Sequence, residues 1–163
     1  MSKLLYFAYG SNLYPNRLYK RVTSATFISN ASLKGWKLYF HKKSNDESAK
    51  CNIVKTDSLE DIVYGVIYRF NSNEKVKLDR AEGGYNPEKM PIDKFNDVLV
   101  YLAKEEKIDD NLLPYTWYKD IVIAGAKFHK FPEIYIAFIN SFNAVIDLDQ
   151  EREERERLII VPV

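Results

Sequence analysis

The stretch YFAYGSNL, Tyr6–Leu13, changes abruptly from aromatic and apolar residues to three small ones, close to the start of the sequence. Apolar side chains are nearly continuous over Lys3–Tyr9, which predicts a strand that is buried on both faces. Gly10, Ser11 and Asn12 then allow the backbone to turn and expose N–H groups, and such groups can bind a carboxylate or an oxyanion. The same residues also favour an ordinary turn, so by themselves they leave both interpretations open.

The rest of the chain predicts a mixed α+β fold. Asp61–Phe70 is apolar on both faces and is predicted to be an internal strand. The other predicted strands are Ala25–Ser29, Leu33–His41, Cys51–Lys55 and Asp97–Lys104, with a polar loop over Lys42–Lys50. The predicted helices are a short one within Asn12–Val22, one after Ser72, one over Tyr115–His129 and one that begins at Pro132. Because strands outnumber crossover helices, we expect a small, largely antiparallel barrel with flanking helices.

Glu82 is the second residue that points to chemistry. The stretch LDRAEGG, Leu78–Gly84, predicts the end of a short helix, with Ser72 as its N-cap and Gly83 and Gly84 at its C-terminus. A carboxylate at a helix C-terminus faces the negative end of the macrodipole, which tends to raise its pKa. A glutamate with a raised pKa can act as a general base near neutral pH, although an exposed glutamate in a turn has the same local sequence.

Composition excludes several classes of protein. The chain has 163 residues, a net charge of +1, 46% hydrophobic residues and one cysteine, Cys51. One domain with a sizeable core fits this length, and the charge does not indicate a nucleic acid or a membrane as partner. A single cysteine and an N-terminus without a secretory apolar region lead us to expect a cytoplasmic protein.

Metal and nucleophile chemistry have little support in the sequence. His41 and His129 lie far apart and have no acidic or cysteine neighbour at metal-ligand spacing, so no metal site is predicted. Cys51 fits a small buried residue better than a nucleophile. Serine-hydrolase, Walker and dinucleotide-binding motifs do not occur in the sequence.

The C-terminal residues differ from the rest of the chain. We assign residues 1–146 to one domain and 147–163 to a charged helical tail with an apolar end. Glu151–Arg155 and Glu153–Arg157 have the spacing of helical ion pairs, which favours a solvated helix. The final LIIVPV is predicted to add an edge strand or to dock on a second copy, which allows a homodimer.

Three motifs together resemble the gamma-glutamylcyclotransferases and their relatives. They are YFAYGSNL followed by an arginine-bearing short helix, then VYGVIYRF, and then LDRAEG. The stretch YKDIVIAGAKFHKFPEIYIAFI, Tyr118–Ile139, is similar to that family's helical tyrosine-containing segment. The resemblance covers about Leu4–Val145.

The resemblance implies an enzyme that needs no cofactor and converts a small gamma-glutamyl compound to 5-oxoproline and a free amine. It implies that Glu82 is the catalytic acid/base. It implies that Tyr6, Phe7, Ala8, Tyr9, Gly10, Ser11, Asn12 and Leu13 hold the gamma-glutamyl group, and that Tyr118 lines the pocket. Tyr118 also fits a core position, and Tyr101 is a weaker candidate for a pocket phenol.

Two departures from the family pattern concern the variable half of the substrate. The stretch GGYNPEKMPIDKF brings Tyr85 early and places Pro87 and Pro91 in a loop that is expected to border the leaving group. Lys50 and Cys51 stand where relatives often have small residues. The alternatives are cleavage of gamma-glutamyl-epsilon-lysine, removal of a gamma-glutamyl protecting group in biosynthesis, a non-catalytic binding module on the same fold, and an interaction protein that uses the tail.

Overall fold

The computed structural model describes residues 2–161. Its seven strands are β1 (Lys3–Ala8), β2 (Thr26–Lys34), β3 (Trp36–Lys43), β4 (Ala49–Lys55), β5 (Ile62–Asn71), β6 (Tyr85–Ile92) and β7 (Phe95–Ala103). Its helices are α1 (Pro15–Arg21), α2 (Lys75–Ala81), α3 (Thr116–Phe128), α4 (Glu133–Asn140) and α5 (Gln150–Arg157). Short 3-10 helices cover Ser11–Leu13, Ser72–Glu74, Glu105–Lys107 and Leu158–Ile160.

The first strand occupies the centre of the main sheet. This five-stranded sheet has the order β2-β5-β1-β7-β6, and β3 and β4 form a separate two-stranded sheet. All strand pairs are antiparallel except that of β1 with β7. The predicted mixed class with a largely antiparallel sheet is therefore confirmed, as is the internal position of β5. The arrangement is barrel-like, but the strands form two sheets and not one closed ring.

Gly65 lets β5 pack tightly against β1. A Cβ atom at Gly65 would lie 2.4 Å from the Phe7 ring and 2.5 Å from the Ala8 carbonyl oxygen. Phe7 is fully buried. The glycine between Val63 and Ile67 thus makes room for an aromatic side chain of the neighbouring strand, as close packing in a protein interior requires.

Helix α3 supports the turn that follows β1. A Cβ atom at Gly125 would lie 2.5 Å from the Leu13 Cβ and 2.8 Å from the Tyr14 nitrogen, so the helix approaches the Ser11–Leu13 turn at its backbone. Next to the end of α3, the Nε2 of His129 lies 2.7 Å from the Leu13 carbonyl oxygen. Two contacts from one helical segment therefore hold this turn in place.

Several predicted boundaries are wrong. Residues 26–34 form one strand, and the chain turns at Gly35, whose φ of +82° favours glycine. The predicted polar loop is shorter, since β3 extends to Lys43 and β4 begins at Ala49. The stretch with Pro87 and Pro91 is the edge strand β6 and not a loop. An edge strand tolerates proline because one side of its backbone has no neighbour to bond.

The predicted N-cap of α2 is also wrong. Ser72 lies inside a 3-10 helix, and its hydroxyl contacts the Ser2 hydroxyl. Helix α2 ends as predicted before the two glycines, with Glu82 itself at the C-cap. On α3, Phe128 is exposed, whereas Tyr118, Ile121 and Val122 are buried as their spacing predicts.

The C-terminal segment docks on the rest of the chain. Helix α5 forms as predicted, but its side chains are not simply solvated, since Arg17 on α1 pairs with Glu156 at 2.5 Å. The predicted edge strand is wrong for residues 158–160, which form a 3-10 helix with Ile159 buried. Residues 162 and 163 of that prediction lie outside the described residues. Within residues 2–161, no helix combines the length and the apolar character that crossing a membrane requires.

Candidate active site

A small inner cavity lies at the end of β1. It has a volume of about 30 Å³, which is room for about two water molecules. Its walls come from β1 and the following turn, from the end of α2, and from tyrosines on three other elements. The lining residues are Tyr6, Tyr9, Gly10, Ser11, Asn12, Cys51, Glu82, Tyr85, Tyr101 and Tyr118.

Asn12 orients Glu82 in this cavity. The Asn12 side-chain amide donates one hydrogen bond to Oε1 of Glu82 at 2.9 Å and another to the Tyr6 hydroxyl at 3.0 Å. Its oxygen accepts a hydrogen bond from Arg21 at 2.9 Å, and Arg21 also lies 3.8 Å from Oε1 of Glu82. Within residues 2–161, Oε2 of Glu82 receives no hydrogen bond from the protein. One carboxylate oxygen is therefore held in place while the other is available to a ligand.

The surroundings of Glu82 raise its pKa above the ordinary value. Burial is the main cause, because only 14% of the side chain is exposed. The charges of Arg21, Lys42 and Arg17, and the hydrogen bond from Asn12, lower the pKa and partly oppose this effect. The sequence predicted a raised pKa through the helix dipole, whereas the structure shows burial as the principal cause. A carboxyl group with these opposing influences suits proton transfer near neutral pH.

Phenol groups surround the rest of the inner cavity. The Tyr118 hydroxyl accepts a hydrogen bond from the Cys51 N–H at 3.0 Å, and the Tyr85 hydroxyl donates one to the Cys51 carbonyl at 2.6 Å. Burial raises the pKa of Tyr9, Tyr85 and Tyr118 well above the usual value, so these phenols stay protonated. Burial also raises the pKa of Cys51 to about 12, which keeps this residue a thiol and not a nucleophile.

The turn after β1 presents unpaired backbone donors. Gly10 precedes the 3-10 helix, and its carbonyl accepts from the Leu13 N–H at 3.0 Å. In the described part of the chain, the N–H groups of Ser11 and Asn12 find no protein acceptor, as is general for the first residues of a helix. A Cβ atom at Gly10 would lie 3.1 Å from the Cys51 Cβ and 3.4 Å from the Tyr118 hydroxyl. The turn thus brings two free donors and little bulk to the cavity.

A larger outer cavity adjoins the inner one. It has a volume of about 270 Å³ and shares four lining residues with the inner cavity, namely Ser11, Glu82, Tyr85 and Tyr118. Helices α1, α3 and α5 and the loop after β3 complete its walls. Its charged lining residues are the cations Arg17, Arg21, Lys42, Lys50, Arg80 and Arg152 and the carboxylates Asp46, Glu82 and Glu156.

The structure brings most of the predicted site residues together, but not all. Glu82 and Tyr118 meet the turn residues Gly10, Ser11 and Asn12 at the inner cavity, and Tyr6 and Tyr9 complete the group. Phe7, Ala8 and Leu13 are fully buried and line neither cavity. Their assignment to substrate contact stays a prediction. Alternation along β1 places Phe7 on the face opposite Tyr6, where it packs against Gly65, and Leu13 packs against Gly125 of α3.

Sequence reasoning missed most of the outer cavity. The tail residues Arg152 and Glu156 were assigned to a solvated helix, yet both line this cavity. Trp117 lies next to Tyr118 and was not singled out. The sequence did contain one signal, because Lys50 stands where relatives often have small residues. In the described residues, no group of three histidine, cysteine or acidic side chains has the arrangement of a metal site.

Comparisons with known proteins identify the family and the fold of the chain. A family model described as "Gamma-glutamyl cyclotransferase, AIG2-like" matches residues 6–120. The chain is 30% identical over 167 residues to a gamma-glutamylcyclotransferase of Bos taurus, covering 95% of this chain and 87% of the bovine protein. It is 29% identical over 143 residues to the protein of the same name from Mus musculus, covering 80% and 74%. A solved structure titled "Gamma-glutamyl cyclotransferase" superposes with a TM-score of 0.80 at 25% identity, covering 96% of this chain and 99% of that one.

Proposed function

Because the chain belongs to the gamma-glutamyl cyclotransferase, AIG2-like family, we propose that it releases 5-oxoproline from small gamma-glutamyl compounds, with Glu82 as its general acid/base. The observation that carries the assignment of Glu82 is its position. It is a carboxylate of raised pKa, oriented by Asn12 and Arg21, at the boundary between the two cavities. It is also the one carboxylate that lines the inner cavity among the described residues.

The reaction is intramolecular and needs only positioning and proton transfer. Glu82 takes a proton from the substrate α-ammonium group, which is mostly protonated at neutral pH and cannot attack in that form. The freed amine attacks the γ-carbonyl carbon and forms the new C–N bond of a five-membered ring. The old amide C–N bond then breaks as Glu82 returns the proton to the leaving nitrogen. The ring nitrogen gives the extra proton that it still carries to the released amine, which departs as an ammonium ion. The products are 5-oxoproline and a free amine, so holding the substrate in a folded conformation accounts for much of the rate.

The turn after β1 supports the second part of the proposal. The free N–H groups of Ser11 and Asn12 stabilise the oxyanion of the tetrahedral intermediate or bind the substrate α-carboxylate. The neutral phenols of Tyr9 and Tyr118 exclude water around them. Because the inner cavity holds only about two water molecules, it takes the reacting end of the substrate, and the remainder extends into the outer cavity.

Release of 5-oxoproline by wild-type protein and by Glu82→Gln tests this proposal. The panel contains several gamma-glutamyl amino acids and gamma-glutamyl-epsilon-lysine, so that it also ranks the leaving groups. We expect product from the wild type. For Glu82→Gln we expect a loss in kcat of about 10²- to 10⁴-fold, the usual contribution of a general acid/base. Glu88→Gln is the matched control, since Glu88 is an exposed glutamate that lines neither cavity.

Two outcomes would contradict the proposal. Equal activity of wild type and Glu82→Gln would remove the glutamate from the chemistry. Binding of a gamma-glutamyl compound without any turnover would favour a non-catalytic binding module. A cytoplasmic location and a homodimer are also part of the proposal. To test the homodimer, the mass in solution of the full-length protein is compared with that of the protein lacking residues 151–163.

A further inference from the structure

The outer cavity contains more positive charge than its own carboxylates neutralise. Six cationic side chains line it, against three carboxylates. Arg152 is also paired with Asp147 at 2.6 Å and with Asp149 at 3.8 Å, and Glu156 is also paired with Arg155 at 3.7 Å; these three partners lie outside the lining. Counted with them, seven cations and five carboxylates leave an excess of two positive charges around a cavity of about 270 Å³.

Two of these cations are buried in the wall. Only 13% of the Arg17 side chain and 12% of the Lys50 side chain are exposed. Arg17 pairs with Glu156, yet its Nε is buried and has no hydrogen-bond partner in residues 2–161. Burial lowers the pKa of both Arg17 and Lys50, which means that their charged forms are incompletely compensated. Buried cations of this kind are stabilised when an anion enters the cavity that they line.

Lys50 lies where the two cavities meet. Its ammonium group is 4.7 Å from the ring centroid of Tyr118, a residue that lines both cavities, and 4.7 Å from that of Trp117. It donates hydrogen bonds to Asp46 at 2.7 Å and to Ser48 at 2.8 Å, which fix its position. A group that leaves the reacting centre for the outer cavity therefore passes close to this charge.

The charges of the two halves of the substrate, the gamma-glutamyl half and the leaving half, determine which of them is attracted by the excess positive charge of the outer cavity. The gamma-glutamyl half carries one α-ammonium and one α-carboxylate, so its net charge is zero. Any excess of positive charge in the cavity is thus available to the leaving half. The geometry points to a preference for anionic leaving groups, in which Lys50 and Arg17 favour gamma-glutamyl compounds whose released half carries a net negative charge over neutral ones of the same shape. This inference rests on the proposed function and names the substrate class of the same site.

A pair of isosteric substrates isolates the effect of charge. Gamma-glutamyl-glutamate and gamma-glutamyl-glutamine differ in one carboxylate and hardly at all in shape. We expect kcat/KM for the glutamate substrate to exceed that for the glutamine substrate by about tenfold at low salt, the effect of one partly screened charge several ångströms away. The ratio should fall as ionic strength rises, because salt screens exposed parts of the cavity.

Two variants of opposite sign test whether the cavity causes the preference. Lys50→Gln removes a positive charge and should lower the ratio several-fold, whereas Glu156→Gln removes a negative one and should raise it. Lys94→Gln is the matched control, because Lys94 is exposed and lies outside both cavities. If Lys50→Gln does not fold, Glu156→Gln and the salt dependence of the wild type still decide the question.

The outcomes separate this inference from the proposed function. Turnover of both substrates with a ratio near one would overturn the preference and leave the cyclotransferase reaction standing. A ratio well above one that neither Lys50→Gln nor Glu156→Gln changes would overturn the assignment to this cavity. No 5-oxoproline from any gamma-glutamyl compound would overturn the proposed function itself.

Discussion

Replacing Asp147 by asparagine should destabilise the protein through the docking of its C-terminal helix. The Asp147 side chain is fully buried, and its two oxygens accept hydrogen bonds from Arg152, both at 2.6 Å. The Trp117 indole N–H, at 2.9 Å, and the Asp149 backbone N–H, at 3.0 Å, complete its partners. An asparagine has one acceptor oxygen where Asp147 has two, and an NH₂ group takes the place of the other. The donors that bonded to that second oxygen would then face another donor and have no acceptor.

The pKa of Asp147 gives the size of the effect. The hydrogen bonds from Arg152, followed by those from Trp117 and Asp149, lower this pKa from about 3.8 to about 2. A shift of that size corresponds to about 2 kcal/mol of stability at neutral pH. For a domain of this length, a loss of about 2 kcal/mol lowers Tm by roughly 4–8 °C. Because the pKa is depressed in the folded state, this stability is present above pH 4 and is lost as the pH falls through about 2.

Urea unfolding at pH 7, 5 and 3 measures the prediction. The gap between wild type and Asp147→Asn should be the same at pH 7 and 5 and smaller by about 1 kcal/mol at pH 3. Asp57→Asn is the control, since Asp57 is exposed in a turn, and it should unfold like the wild type throughout. Equal midpoints of wild type and Asp147→Asn at pH 7, or a gap that stays constant down to pH 3, would refute this reasoning.

Two further predictions concern the turn and the base. Gly125→Ala gains about 1 kcal/mol of helix propensity but places its Cβ 2.5 Å from that of Leu13, so we expect a lower Tm and a kcat/KM reduced at least tenfold. The control Gly83→Ala, whose added Cβ has its nearest neighbour at 3.8 Å, should unfold like the wild type. Unchanged kinetics of Gly125→Ala would contradict the support of the turn by α3. Arg21→Gln removes a charge that lowers the pKa of Glu82, so the acid limb of the plot of kcat/KM against pH should move to higher pH. The control Arg21→Lys keeps the charge and should stay closer to the wild type. If the acid limbs of wild type and Arg21→Gln coincide, Arg21 does not act on the base.

The sequence predicts well those features that depend on local patterns. The apolar continuity of Lys3–Tyr9 and Asp61–Phe70 was enough to place two interior strands, and the spacing on α3 was enough to identify a helix with Tyr118 on its buried face. The small residues after β1 and the glutamate before two glycines marked positions that lie 70 residues apart and meet through one hydrogen bond, from Asn12 to Glu82. Family resemblance, not local pattern, joined them.

The features that the sequence did not reveal depend on contacts between distant segments. Nothing near Arg152 indicates that its guanidinium pairs with a buried aspartate and lines a cavity, since a run of alternating charges is typical of a solvated helix. Phe7 and Leu13 share a motif with residues that line the inner cavity, but packing against Gly65 and Gly125 directs them inward. The sequence favours a loop for the proline-bearing stretch because proline is rare in strands that have a neighbour on each side. In the structure this stretch is an edge strand that pairs with β7 alone.

The cations around Glu82 affect both the pKa of this residue and the charge of the outer cavity. Arg21, Lys42 and Arg17 lower the pKa of Glu82 and so keep more of this buried carboxyl ionised and able to accept a proton. Removing any of them would change the base and the charge of the outer cavity together, and a lower rate would not distinguish the two effects. Lys50 contacts Asp46 and Trp117 instead and is not among the main charges that act on Glu82. It is therefore the residue at which substrate preference can change while the pH dependence of the reaction stays the same.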